Sequence, residues 1–551
     1  MPSGESTARV RLFMASERVF ERLLAGYRAS LDLALRHSAM TLAFFVLTVA
    51  TSGYLFVLIP KGFFPQQDTG LLIGTTEAAQ DVSFAEMQRR SLALNAIVMS
   101  DPDVATVGMT AGATGTQTQN NGRMFITLKP REERTASAAQ IIDRLRPRLA
   151  QVQGAALFLQ PAQDINIGGR PTRTLYQFTL QDPNLDELNN WAPKIFAKLK
   201  SLPELRDVAT DQQTGGDTLT LTIDRDQAAR FGIQPQLIDD TLYDAFGQRQ
   251  ITQYFTQLNS YHVVMEVLPE LQTSKNALDR IFIKSPLTGQ QVRISALARW
   301  TNVPTTFLSI NHQGQFPAVT LSFNLAPNVA LGQAVQAIQA AEAEIGMPSS
   351  LAGTFQGNAQ AFQSSLASEP YLIAAALVVI YLILGMLYES YIHPLTILST
   401  LPSAGAGALL MLLLFRFDFS VIALIGIILL IGIVKKNGIM MVDFAIAGQR
   451  ERGLGPLEAI REACLMRFRP IMMTTMAALL AGVPLMLGSG TGSEMRQPLG
   501  YAMVGGLILS QALTLYTTPV VFLYLDRVNA WLSRRMPPQS QEAGRAGAVA
   551  G

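Results

Sequence analysis

Lys435, Lys436, Asn437 and Asp443 interrupt one of the most apolar parts of the chain, "LLIGIVKKNGIMMVDF" (Leu429 to Phe444). A cation held in lipid needs an anionic partner, and protonation of that partner would release it. Such a pair could move protons. Lys435 and Lys436 point about 100° apart on a helix, so one partner cannot serve both. Asp443 follows Lys436 two turns along, on nearly the same face. A snorkelling lysine or a purely structural ion pair is the alternative reading of these residues.

Other chemistry is sparse. His37, His262, His312 and His393 do not cluster at ligand spacing and read as surface or helix-end histidines. The single cysteine, Cys464, excludes an internal disulfide framework and a CxxC-type metal site. No phosphate loop, GxSxG elbow or HExxH is present, so nothing points to an enzyme. "DPD" (Asp101 to Asp103) lacks calcium-loop spacing and reads as a turn. "TAGATGTQTQNNG" (Thr110 to Gly122) is a polar, glycine-rich connection that fits a binding or switching role, with Thr110, Gln117, Gln119, Asn120 and the following Arg123 as its candidate residues, or an ordinary exposed loop. A net charge of +2 without a basic, aromatic-interleaved stripe implies no nucleic-acid partner.

Long apolar runs must position the lysines. Charged residues are 15% overall, but they concentrate in Lys61 to Glu369. Met40 to Ile59 has the ~20 apolar residues a crossing helix needs, and it reads as a retained span after a basic amphipathic segment. Further candidates are Tyr371 to Tyr388, Leu395 to Phe415, Val421 to Ala447, Ile471 to Leu487 and Leu499 to Leu525. Were "KKNG" a loop, Ile439 to Ala447 would have to cross alone, and it is too short. Lys436 therefore lies within a span.

Charge bias orients these spans. Arg11, Arg18, Arg22, Arg28 and Arg36 precede the first, and Arg527, Arg534 and Arg535 follow the last. By parity the segment "GQRERGLGPLEAIREACLMRFRP", read as a loop with Arg450, Arg452, Arg461, Arg467 and Arg469, shares that side. The expectation is a multi-pass protein with both termini cytoplasmic and a large segment outside, which in a Gram-negative cell is periplasmic.

That segment alternates as β-α-β-β-α-β from Leu71, the ferredoxin-like split unit. A second round begins at "TLYQFTL", includes "LRDVATD" and "DTLTLTI", and is completed by "PAVTLSFNL", "LGQAVQAIQAAEAEIG" and "AGTFQG". An insert lies between. The predicted fold class is membrane α-helical with six transmembrane helices plus periplasmic α+β. Its expected divisions are residues 1–39 (cytoplasmic amphipathic segment), 40–59 (first span), 60–160 (first periplasmic module), 161–223 with 312–369 (second periplasmic module), 224–311 (inserted module), 370–527 (five-helix block) and 528–551 (cytoplasmic disordered tail).

"PKGFFPQQDTG", "LYESYIHPLTILSTLPSAGAGALL", "IALIGIILLIGIVKKNGIMMVDFA", "RFRPIMMTTMAALLAGVPL" and "EMRQPLGYAMVGGLILSQALTLYTTPVVF" resemble, colinearly, the C-terminal half of a resistance–nodulation–division (RND) efflux transporter. "QDINIGGR", "AFGQRQI" and "NNGRMFITLKP" are most similar to the MdtB/MdtC type. The resemblance implies an inner-membrane antiporter of amphiphilic small molecules, driven by the proton-motive force with no cofactor. Its implied partners are an N-terminal half, other subunits in a homo- or heterotrimer, a periplasmic adaptor protein and an outer-membrane channel. By the resemblance the family's relay residues fall on Lys436, Asn437, Arg467 and Thr474, and a substrate-route loop falls on Thr110, Gln117, Gln119, Asn120 and Arg123; Lys435 and Asp443 are possible secondary groups by their place in the span. By sequence, "RFRP" would start a helix at Pro470 and leave Arg467 before it.

Two departures stand out. The family's proton-binding pair of aspartates belongs to the N-terminal half, and the loop from Thr110 has none of the family's drug-gripping phenylalanines. A non-transporting fragment or an assembly or regulatory subunit is therefore the alternative, with lipid or metal export behind it.

Overall fold

The computed structural model describes residues 5–112, 118–272 and 274–535. Helix α1 (Glu5–Arg36) leads through His37 into α2 (Ser38–Leu58). A first unit follows as β1 (Leu71–Ala78), α3 (Phe84–Met99), β2 (Val104–Ala111), β3 (Asn121–Leu128), α4 (Ala138–Leu149) and β4 (Ala155–Pro161). Its strands lie in the order β2-β3-β1-β4, every pair antiparallel. Alternation along β1 buries Leu72, Gly74, Thr76 and Ala78, which turns one face of the sheet toward the helices. Both helices start on a serine: the Ser83 hydroxyl accepts from the Glu86 amide, and Ser137 and Gln140 form a reciprocal capping box.

The second unit opens with β5 (Tyr176–Gln181), α5 (Leu185–Lys200) and β6 (Leu205–Thr210). The chain then leaves along β7 (Gly216–Ile223) into an insert of α6 (Arg225–Arg230), α7 (Pro235–Phe246), β8 (Arg249–Phe255), β9 (Ser260–Met265), α8 (Pro269–Gln272), β10 (Phe282–Lys284), β11 (Gln291–Arg293) and α9 (Ile294–Leu297). It returns along β12 (Ala298–Thr306), and β13 (His312–Gln313), β14 (Phe316–Leu325), α10 (Leu331–Ile345) and β15 (Ala352–Gln356) complete the unit. The second sheet is β13-β14-β5-β15, with β6 on β14. The expected place of "DTLTLTI" in this sheet is corrected: β7 pairs with β12 instead. Most of β7 is exposed, so it has no core face to lay on a sheet and makes a two-stranded ribbon.

The remaining helices are α11 (Asn358–Tyr388), α12 (His393–Leu398), α13 (Leu401–Leu414), α14 (Val421–Arg452), α15 (Pro456–Met486) and α16 (Ser493–Arg535). With α2, and counting α12 and α13 as one, they give six stretches long and apolar enough to cross a membrane. Of the apolar window of α16, 67% is buried, against 11% for α2 and α11, so α16 is the centre of the block. Small residues let it sit there: a Cβ on Gly407 of α13 would lie 2.5 Å from the Gly505 carbonyl of α16.

The expected loop from Gly448 to Pro470 is also corrected. Helix α14 runs on to Arg452, Gly453 caps it at φ 66°, and α15 begins at Pro456. Pro470 lies inside α15 rather than at its start. Packing against α1 holds α15 together on both sides of this proline. The Tyr27 ring of α1 stacks on Phe468 at 4.5 Å, and Ile471 is fully packed. Arg461 and Arg469 hold α1 through Asp32 (2.6 and 2.9 Å) and Glu17 (2.9 and 3.0 Å).

Candidate functional site

Helix α14 carries "KKNG" at its middle, as a single unbroken helix. Asn437 is buried and donates from Nδ2 to Thr475 Oγ1 at 3.0 Å and to Gln511 Oε1 at 3.4 Å. It thereby ties α14 to α15 and α16 in one polar knot. Lys436, one residue earlier, faces outward. Ile425, Leu429, Gly432 and Asp443 share that exposed stripe. Lys436 has no hydrogen bond or ion pair among the described residues, and Lys435 is half-buried.

Arg467 lies within α15, so its expected position ahead of a helix start is corrected. Its guanidinium sits over the Phe444 ring of α14, 4.7 Å from the centroid, while its Nε is buried without a hydrogen-bond partner among the described residues. Thr474 turns back on its own helix and donates to the Pro470 and Ile471 carbonyls, each at 3.1 Å. The structure thus joins Asn437 to Thr475 and leaves Thr474 out of that knot. Thr475 and Gln511 escaped the sequence reading. Gln511, an amide inside "LILSQALTL", was the signal available for it.

A second polar site lies where the two sheet units face each other. A cavity of about 530 Å³ is lined by Thr75, Asn121 and Arg123 of the first unit and by Thr320 and Ser322 of the second, among others. Arg173 closes part of the seam, donating to Glu77 at 2.9 Å and to the Thr210 carbonyl. Burial pushes the Glu77 carboxyl above its ordinary range despite this arginine. Burial likewise raises Asp211, which accepts from the Thr320 amide at 2.7 Å and from Asn311 at 2.9 Å.

The expected substrate-route loop divides here. Asn120 is buried and donates to the Ala78 carbonyl (3.1 Å) and, across the seam, to Gln213 (3.3 Å), so it anchors the loop. Arg123 lines the cavity; Thr110 and Gln119 are exposed. Gln117 lies outside the described residues. Arg173, Asp211 and Gln213 were missed because their meeting depends on how the two units dock, which spacing along the chain does not encode.

The family model described as AcrB/AcrD/AcrF family matches residues 2–526. The chain belongs to this family. It is similar to multidrug resistance protein MdtC of Escherichia coli O7:K1 (51% identical over 520 residues, 94% of this chain and 50% of the relative). It is similarly close to MdtC of Salmonella enteritidis PT4 (50% identical, with the same coverage). The chain spans about half the length of these curated relatives. Among solved structures, crystal form II of a heavy metal efflux pump shares the fold at a TM-score of 0.81 and 22% identity, covering 92% of this chain and 53% of that one. As an AcrB/AcrD/AcrF family member the chain is a multi-pass inner-membrane protein with a periplasmic part, in agreement with its six apolar stretches and its α+β units.

Proposed function

We propose that this chain acts as the C-terminal half of an inner-membrane proton/drug antiporter subunit, and that an N-terminal half supplies the acids that face Lys436. The observation that carries this reading is Lys436 itself, at mid-span, turned outward and without a partner among the described residues. A lysine near the bilayer centre costs roughly 2.5–3.5 kcal/mol on insertion scales, so its retention there argues for a partner of use.

In this reading protons, driven by the proton-motive force with no cofactor, pass by Lys436, Asn437, Arg467 and Thr474, with Lys435 and Asp443 secondary. The hydrogen bond from Asn437 supports adding Thr475 to the set. The sheet units act as ferredoxin-like porter modules (60–160, and 161–223 with 312–369), and 224–311 acts as the docking module. Both termini are cytoplasmic. Cargo is amphiphilic and crosses the seam past Thr110, Gln119, Asn120 and Arg123. The subunits form a homo- or heterotrimer with an adaptor protein and an outer-membrane channel. The multidrug resistance relatives support this cargo class.

Dye efflux in cells lacking their own pumps tests the reading. The expected result is no efflux from this chain alone, efflux when a matching N-terminal half is added, and loss of efflux on Lys436→Ala in that pair. Efflux untouched by Lys436→Ala would overturn the relay assignment. No efflux in any combination would favour a non-transporting subunit.

A further inference from the structure

We infer that a column of water lies in the membrane block between α12–α13 and α16, and that Thr514 and Thr518 of α16 hold it beside the Asn437 knot. Its use as a path for protons rests on the antiporter reading above. A hydroxyl inside a membrane helix ordinarily bonds back to a carbonyl of its own helix. Thr396 does so to Ile392 at 3.4 Å, Thr400 to Ile397 at 2.8 Å, and Thr517 to Leu513 at 3.0 Å. Thr514 and Thr518 do not. They are 3% and 0% exposed, and neither hydroxyl has a hydrogen-bond partner among the described residues.

A buried hydroxyl left unpaired is costly, and valine would fill the same space without that cost. Packing alone therefore accounts for the shape of these two side chains and not for their oxygens. Buried water answers such groups, typically through about three hydrogen bonds to otherwise unsatisfied polar atoms.

The neighbouring helices supply the remaining partners. Helix α16 runs antiparallel to α12 and α13, and two contacts fix their register. At one end the His393 ring stacks on Phe522 at 6.0 Å. At the other a Cβ on Gly506 would lie 3.0 Å from the Ala404 carbonyl. Thr396 and Thr400 fall between these contacts on one side, and Thr514 and Thr518 fall between them on the other. Helix α14 closes in at Gly438, where a Cβ would lie 3.1 Å from Thr400 Cγ2. Thr396 and Thr400 donate to carbonyls, but their oxygens can still accept from water. Gln511, Thr514 and Thr518 follow one another at spacings of three and four, on one face of α16. Gln511 accepts from Asn437, so this hydroxyl row begins at the knot and leads toward buried His393.

The full chain in detergent supplies the test. Its single cysteine, Cys464, is buried in α15, so a thiol-reactive coumarin reports when this block opens. Thr514→Val with Thr518→Val keeps the shape and removes both hydroxyls. With water holding them, the unfolding midpoint should fall by about 2–4 °C. Thr517→Val, which alters a hydroxyl held by its own helix, should move it clearly less. Dry hydroxyls give the opposite sign, because valine then removes an unpaired polar group. A rise, no change, or an equal fall in Thr517→Val would overturn the inference.

Dye efflux with an N-terminal half present separates this inference from the transport reading. The valine pair should slow efflux severalfold, and Thr514→Ser with Thr518→Ser should restore it. Undiminished efflux in the valine pair would overturn the column as a proton path. No efflux from the unaltered chain and its half, with the thermal shift as expected, would overturn the transport reading and keep the column.

Discussion

The periplasmic units and the membrane block hold themselves together by different means. In the units, buried acids are clamped by arginines from distant parts of the chain. Asp68 accepts from Arg134 and from the Ala138 amide at the start of α4, and Asp101 and Asp103 share Arg144. Across the seam, Arg146 reaches Asp207 at 2.8 Å. In the membrane block the tight contacts are made by small residues: Gly407 against Gly505, Gly426 against Ala502, and Gly506 against the Ala404 carbonyl. Water rewards apolar burial and leaves ion pairs to fix register, whereas lipid gives no such reward and close packing takes over. Lys436 breaks the pattern of its own region. A cation without an answering acid among the described residues would be ordinary on a periplasmic surface; in a span it is the residue on which the half-transporter proposal rests.

The sharpest way to break this contrast is to remove a clamp. Asp68→Asn leaves Arg134 buried opposite a neutral group and should cost about 3–5 kcal/mol, measured by denaturant unfolding of the first unit. Burial alone would raise the Asp68 carboxyl, but Arg134, the Ala138 amide and the Gly70 amide more than offset this and hold it below the ordinary range. A depressed folded-state pKa means the stabilisation is fully present above the unfolded value of about 3.9 and is lost as pH falls through the folded one. Unfolding followed against pH should show that acid-sensitive portion in the native protein and a smaller one in Asp68→Asn.

Next in size, Gly407→Leu should destabilise the membrane block by about 1–3 kcal/mol through overpacking against Gly505 and Leu509, read as a lower thermal aggregation temperature in detergent. A neutral outcome would mean that α13 and α16 are not held by close approach. Asn437→Ala should cost about 1 kcal/mol, because hydrogen bonds between membrane helices contribute modestly. The same thermal assay would show a larger loss if the knot with Thr475 and Gln511 organised the block. The smallest effect is expected at the seam. Arg146 and Asp207 are partly exposed, and a double-mutant cycle with Arg146→Gln and Asp207→Asn should give about 0.2–1 kcal/mol of coupling.

Much of this architecture is written in local pattern. Period-2 alternation and serine caps mark β1, α3 and α4, and a run of ~20 apolar residues marks α2 whatever surrounds it. Asn437 and Lys436 were legible as polar residues in a span, but which of them turns toward the other helices was not. Which face of α14 is covered is decided by α15 and α16. Pro470 misled because the rule that ends helices at proline belongs to helices in water without neighbours. The role of "DPD" was hidden likewise: its acids are buried, and the arginine that answers them lies on α4. The ribbon of β7 and β12 joins residues far apart in sequence, and nothing in "DTLTLTI" distinguishes a ribbon strand from a sheet strand.

That ribbon has a topological consequence. The chain enters the insert along one of its strands and comes back along the other, with Ile223 opposite Ala298 at the far end. Entry and exit are thus neighbours, and a two-residue turn between them would close the path as an ordinary hairpin. The described residues from Asp224 to Leu297 hang on the second unit as a detachable cartridge. It can lengthen, shrink or be exchanged for another head over evolutionary time while β5, β6, β14 and β15 keep every hydrogen bond they have.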